Sequence, residues 1–196
     1  MENRDPNKKE VWFTADLHLF HKNVIRYSNR PFTDVDGMNA TLLENINKSV
    51  LPNDDLYILG DLIFGTSAQA QEFLRQVRCK NLFFVFGNHD KEMRKDAIKP
   101  FFKSMDEYKE ISIHNKEDNS HQKICLFHYP VLEWNGAFRS SWMLHGHTHG
   151  NLQYPEVLAD KKIADVGVDC WNYSPVSFTQ LKELFKNRQN MSNHGD

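Results

Sequence analysis

Five short blocks in this sequence carry side chains able to hold metal ions or move protons: Asp16-Leu17-His18, Gly60-Asp61, Gly87-Asn88-His89-Asp90, Phe127-His128 and Gly146-His147-Thr148-His149. Carboxylate, imidazole and amide oxygen are hard and borderline donors that suit first-row divalent ions. Together they are enough for two ions sharing a carboxylate. Such a pair suits phosphoester hydrolysis. The ester is anionic and repels hydroxide, so two cations about 3.5–4 Å apart can bind its oxygens, stabilise developing charge and supply a bridging hydroxide for in-line attack. The departing alkoxide needs a proton, which a histidine titrating near neutrality can donate.

The elements that must position these blocks can be read from the flanking residues. Val11 to Ala15, Leu56 to Leu59 and Leu82 to Phe86 are apolar runs that read as strands, each ending in one of the blocks. In open α/β sheets, ligands bind at that edge. A short helix is expected near Asn23 to Tyr27. Met38, Leu42, Leu43, Ile46 and Val50 recur at helical spacing ahead of Pro52, and Thr66 with Gln69 forms a capping box before Ala70, Phe73, Leu74 and Val77. The first half therefore alternates strand and helix. In the second half, Glu110 to Ile113 and Lys123 to Phe127 flank a polar stretch and predict a β-hairpin. Further strands are expected at Ser141 to Leu144 and Ile163 to Val168. A last helix follows, with a capping box at Ser177 and Gln180 and an apolar face of Phe178, Leu181, Leu184 and Phe185.

The ordered blocks D-x-H, G-D, G-N-H-D, H and G-H-x-H resemble those of the calcineurin-like metallophosphoesterase superfamily, and the match runs from Asp16 to His149. The resemblance implies an α/β fold, a four-layer α-β-β-α sandwich with a dinuclear metal site at the strand C-terminal ends. Carried over by position, it implies that Asp16, His18 and His149 hold one metal, Asn88, His128 and His147 the other, and Asp61 bridges them. It also implies that His89 is the catalytic acid, oriented by Asp90. The implied cofactors are two divalent metal ions, manganese first, with iron, nickel or zinc as alternatives.

Departures from the family's branches narrow the class. Gly60-Asp61-Leu62-Ile63-Phe64-Gly65 lacks the arginine that marks the serine/threonine protein phosphatases, and the third block ends in Asp90 rather than glutamate. The family's DNA-repair nucleases add a second domain that grips DNA, for which 196 residues leave little room. The expected function is a phosphodiesterase acting on a small or nucleotide-like phosphoester, with a phosphomonoesterase or a metal-binding scaffold of little turnover as alternatives. Asp16 to Asn23 also resembles a small subfamily with an extra histidine after the first block. That histidine, His21, is a candidate substrate contact, against a helix-start residue bonded to backbone.

Composition bounds the remainder. Forty per cent hydrophobic and 26% charged residues are ordinary globular usage and exclude a disordered, collagenous or disulfide-dense chain. One domain spanning residues 1–196 is expected, with about 1–10 and 187–196 frayed. Apolar runs of about five residues, against roughly 18 needed to span a bilayer, exclude an integral membrane protein. The polar N-terminus reads as no signal peptide, so cytoplasmic residence is expected. A net charge of −2 gives no global attraction to a polyanion, so nucleic acid is not the favoured partner. Nothing in the sequence specifies an oligomeric state. Cys79, Cys125 and Cys170 are expected to be reduced and buried. His145 is read as strand-end support, Arg26, Arg30 and Arg139 as solvated surface ahead of phosphate clamps, and His114, His121 and His194 as solvent-facing.

Overall fold

The computed structural model describes residues 8–115, 119–152, 155–158 and 160–191. Its first sheet is built from β1 (Val11–Thr14), β2 (Asp55–Leu59), β3 (Asn81–Val85) and β4 (Ser104–Asp106), which pair in parallel. Successive side chains on a strand point to opposite faces. Both faces are covered here, which is why the strands read as continuous apolar runs rather than alternating ones. Leu56, Ile58, Leu82 and Phe84 pack with Met38, Leu42 and Ile46 of one helix and Phe73 and Leu74 of another. After the single-turn α1 (Val24–Tyr27), these helices are α2 (Val35–Ser49) and α3 (Ser67–Gln76). On the opposite face, Phe13, Ala15, Tyr57, Leu59 and Val85 meet Ile124, Leu126, Trp142, Leu144 and Ala164.

Those partners belong to a second sheet, β5 (Lys109–Asn115), β6 (Ser120–Leu126), β7 (Trp142–His145) and β8 (Ile163–Asp165), hydrogen-bonded in that order. The predicted hairpin is the antiparallel β5–β6 pair, and β6–β7 and β7–β8 are parallel. Its outer face, Cys125, Met143 and Ile163, lies under Trp134, Ala137 and Leu158, the last from α4 (Pro155–Leu158). The layers are therefore α-β-β-α, with a thin fourth layer. A short β9 (Val176–Ser177) pairs antiparallel with β1, and α5 (Phe178–Phe185) sends Phe178, Leu181 and Phe185 into the core between the sheets. Both predicted capping boxes are formed, at Thr66/Gln69 and Ser177/Gln180.

Several expectations change. The run Ile163 to Val168 leaves the sheet after Asp165, because its Oδ1 accepts the Gly167 N–H at 2.7 Å and turns the chain into a 3-10 turn at Val168–Cys170. Of the ends expected to be frayed, residues 1–7 and 192–196 lie outside the described residues, and within 187–191 Arg188 donates to the carbonyls of Lys161 and Ile163, and the Met191 N–H to that of Ala137. Cys79 and Cys125 are buried but Cys170 is exposed. Among the described residues, no helix is long and apolar enough to cross a membrane. His194 lies outside them.

Candidate metal centre

The five blocks meet at one end of the sandwich. Beyond the strands, the backbone keeps pairing: Asp16 N–H donates to Gly60 O, His18 N–H to Asp61 O and Leu19 N–H to Leu62 O, all at 3.0–3.1 Å. A bridge from Ala15 to Gly167 ties the first sheet to the second. Five of the seven candidate ligands, Asp16, His18, Asp61, His147 and His149, hold φ between 47° and 71°. Each such left-handed residue costs on the order of 1–3 kcal/mol, and such strain clusters where side-chain aim matters more than backbone comfort. Gly146 serves close approach instead. A Cβ there would stand 2.5 Å from Asp16 Oδ2.

Asp61 sits at the centre. Its Oδ2 lies 3.6 Å from His18 Nε2 and also 3.6 Å from His128 Nε2, while its Oδ1 accepts the His89 N–H at 2.9 Å. One oxygen is thus fixed by backbone and the other faces two imidazoles. Asp16, His18 and His149 form one cluster whose donor atoms lie within 4.8 Å of one another, and Asp16, Asp61 and His128 form a second. His128 donates Nδ1–H to Leu59 O at 2.8 Å, so its Nε2 presents a lone pair. That lone pair points at Asn88 Oδ1, 3.0 Å away, and His147 Nδ1 lies 3.1 Å from the same oxygen.

The residues fit a pair of cations. His128 Nε2 and Asn88 Oδ1 face each other as two acceptors, and Asp16 Oδ1 is buried with no hydrogen-bond partner. Burial, then the charges of Asp165 and Asp61, push the Asp16 carboxyl well above the usual carboxylate range. Burial, with His149 and Arg30 nearby, pushes His18 down to about 2, which keeps its imidazole neutral and able to ligate. Positive charge is what this arrangement lacks, and bound cations supply it.

A supporting layer holds these groups. Arg30 is buried rather than solvated, which overturns the surface reading. It makes a bidentate pair with Asp169, at 2.8 Å to each oxygen, and donates to the carbonyls of Asp16 and Leu17. Asp169 Oδ2 also accepts Nδ1–H of His149 at 2.6 Å. Burial alone would raise the Asp169 carboxyl, but its bonds to His149 and Arg30 outweigh that and hold it below the usual range. Asp165 Oδ2 accepts from the Thr148 hydroxyl and the Gly150 N–H, fixing the loop that carries His147 and His149. Asp165 ends an apolar run, the same signal that marks the five blocks. Arg30 and Asp169 carry no such mark. His145 is buried and donates to Gly146 O, a strand-end role as expected.

Asp90 is placed otherwise than expected. Its Oδ2 accepts the N–H groups of Asp61 and Gly87 at 2.8 and 2.6 Å, and its Oδ1 that of Leu62 at 3.1 Å. Burial pushes this carboxyl up to about 6, despite the amides that favour its ionised form. Both oxygens are committed to backbone that joins the β2 and β3 loops, not to the His89 ring. His89 is exposed at the mouth of a cavity of about 460 Å³ that also meets His18, His21, Asp61, Asn88, His147 and His149. The His21 ring is 5.6 Å from that of His18 and 4.1 Å from Phe64, and the His21 backbone N–H donates to His18 O. Arg26, Arg139, His114 and His121 are exposed, as expected.

Comparison with known proteins identifies the family and the fold. The model of the calcineurin-like phosphoesterases matches residues 9–172. An uncharacterized protein of Methanocaldococcus jannaschii is 34% identical over 182 residues, covering 91% of this chain and 92% of that one. The gene 66 protein of Mycobacterium phage L5 is 27% identical over 82% of this chain and 87% of its own length. A solved structure, a protein of unknown function from Aquifex aeolicus, superposes with a TM-score of 0.70 at 24% identity, over 90% of this chain and all of the other, and shares the fold.

Proposed function

The chain belongs to the calcineurin-like phosphoesterase family and is a metal-dependent phosphoesterase, and from that premise we propose that it is a phosphodiesterase acting on a small or nucleotide-like substrate. The observation that carries the reading is Asp61 Oδ2, equidistant at 3.6 Å from His18 Nε2 and His128 Nε2, a carboxylate oxygen aimed between two clusters. Asp16, His18 and His149 would hold one ion, Asn88, His128 and His147 the other, with Asp61 shared. Manganese is the ion we propose first, and iron, nickel or zinc also suit this nitrogen and oxygen set. When bound, two such ions supply Lewis acidity to the phosphoryl oxygens and activate water for in-line attack at phosphorus.

The chain's own residues do the rest. Asp61 holds its position because His89 N–H occupies its other oxygen. His89, exposed at the cavity mouth, delivers a proton to the departing oxygen. Asp90 serves that step indirectly by fixing the Gly87 and Asp61 backbone, and His21 lies where it can meet the substrate. Preference for a diester is supported by the cavity wall, in which no lysine or arginine is found among the described residues. A phosphomonoester brings close to two negative charges at neutral pH and a diester brings one, and beyond the bound ions this lining has no cationic side chain to clamp the second charge, which supports the diester.

The test is hydrolysis of a bis-nitrophenyl diester and a nitrophenyl monoester by protein loaded with manganese, with metal content measured alongside. The expected result is two ions per chain and faster turnover of the diester. Preference for the monoester overturns the diester reading, and two bound ions without turnover of either favours the scaffold.

A further inference from the structure

We infer that the cavity beside the metal centre seats a planar heteroaromatic group of the substrate, a nucleobase, against the exposed aromatic wall formed by Phe64 and Tyr27. The inference rests on the phosphodiesterase reading and deepens it. Large apolar side chains are mostly buried in this fold, yet Tyr27 is 64% and Phe64 51% exposed, and both line the same cavity as the candidate ligands. They are not scattered surface aromatics. His21 links them, with ring centroids 4.1 Å from Phe64 and 6.3 Å from Tyr27, and its own ring is 5.6 Å from that of His18. Arg26 lies over the Tyr27 ring at 5.4 Å and braces it from outside the cavity lining.

The position fixes which part of the substrate meets these rings. Phe64 is 5.5 Å from the His89 ring, centroid to centroid, and His89 is 5.8 Å from that of His18. A phosphorus atom held at the metal centre with its ester oxygen toward His89 therefore directs the next atoms of that ester arm onto Phe64. The character of the wall selects the arm's chemistry. Exposed aromatic faces stack on bases regardless of sequence. Ser28, whose hydroxyl also meets His149 Nδ1 at 3.3 Å, and Asn151, whose Nδ2 donates to His149 O at 3.1 Å, add a hydroxyl and an amide to the lining. A lining so rich in polar groups and histidines suits an alkyl chain less well. A volume of about 460 Å³ lies in the range of small-ligand pockets and admits one nucleotide. The absence of lysine and arginine from the described lining argues for a single phosphate rather than a di- or triphosphate.

Binding tests this without turnover. Adenosine 5′-monophosphate and ribose 5-phosphate carry the same phosphate on the same sugar and differ by the base, so their dissociation constants with the manganese-loaded protein isolate the wall. The expected result is that adenosine 5′-monophosphate binds at least about tenfold more tightly, as one stacked base allows. Phe64→Ala and Tyr27→Ala should each erode that ratio while ribose 5-phosphate affinity holds, and Phe64→Trp should preserve or increase it. All three changes fall on exposed side chains, and unchanged melting temperature and metal content would confirm that the variants are folded. Equal affinities in the unmodified protein, or a ratio that survives both alanine changes, overturns the base-binding wall alone. Binding of neither probe, with two ions present, overturns the wall, and the phosphodiesterase reading is then judged separately by hydrolysis of the bis-nitrophenyl diester.

Discussion

Asp169 bonds His149 at 2.6 Å with the same carboxylate that grips the buried guanidinium of Arg30. A ligating imidazole whose second nitrogen donates to a carboxylate is fixed in tautomer and orientation, and loss of such a partner costs about 10–100-fold in metal affinity or activity. Asp169→Asn should therefore weaken one of the two metal sites by about that factor and leave the other nearly intact. A chelator-competition titration would resolve two ions of unequal affinity. Two unchanged affinities would show that Asp169 serves Arg30 alone.

Metal retention should separate Asp61 from His89. Asp61→Ala removes the oxygen that faces both His18 and His128, so elemental analysis should find metal lost from both clusters. His89→Ala should keep both ions, because only its backbone N–H bonds Asp61, and alanine keeps that group. Equal metal loss in the two variants would mean that the His89 ring ligates.

Asp90 should prove to be a stability residue as much as an activity residue. Asp90→Ala strips one acceptor from three backbone N–H groups in a buried turn, and hydrogen bonds to a charged group are worth roughly 1.5–3 kcal/mol each. Denaturant unfolding should show a loss on the order of 3–5 kcal/mol, whereas the exposed His89→Ala should change it by under about 0.5 kcal/mol. If Asp90→Ala loses activity at unchanged stability, its task is to orient His89 after all.

Chelation should lower the melting temperature reversibly. Without cations, Asp16, Asp61 and Asp165 crowd one another, whereas a ligand at 100 times its dissociation constant adds about 2.7 kcal/mol per site. Thermal scans with and without manganese check this. A melting temperature indifferent to the ion would argue against a preformed centre.

The leaving group should report on proton donation. A nitrophenolate departs as a stable anion and an alkoxide does not, so His89→Ala should reduce hydrolysis of an alkyl or nucleoside diester far more than that of a nitrophenyl diester, with general-acid help worth about 10²–10⁴-fold. Asn88→Ala, which acts through the metal, should reduce both alike. Equal losses in His89→Ala at constant metal content would assign this histidine to phosphate binding.

The sequence by itself specified the class of chemistry and the edge of the fold where it occurs. Ligand-type residues closing Val11 to Ala15, Leu56 to Leu59 and Leu82 to Phe86 are legible because a strand presents its last residue to a loop whatever surrounds it, and the two capping boxes are legible because their bonds span three residues. Tertiary structure alone decided the supporting layer. Arg30 and Asp169 are 139 positions apart, and a lone arginine after a short helix reads as surface until the fold buries it. Asp90 lies next to His89 in sequence, yet its oxygens bond amides at Gly87, Asp61 and Leu62, because a carboxylate goes to the donors that the packed loops leave unsatisfied rather than to its nearest neighbour in the chain. The short strands β4 and β9 likewise exist only through pairing with β3 and β1, since two or three residues carry too little pattern to announce a strand and gain their hydrogen bonds only once the neighbouring edge has formed.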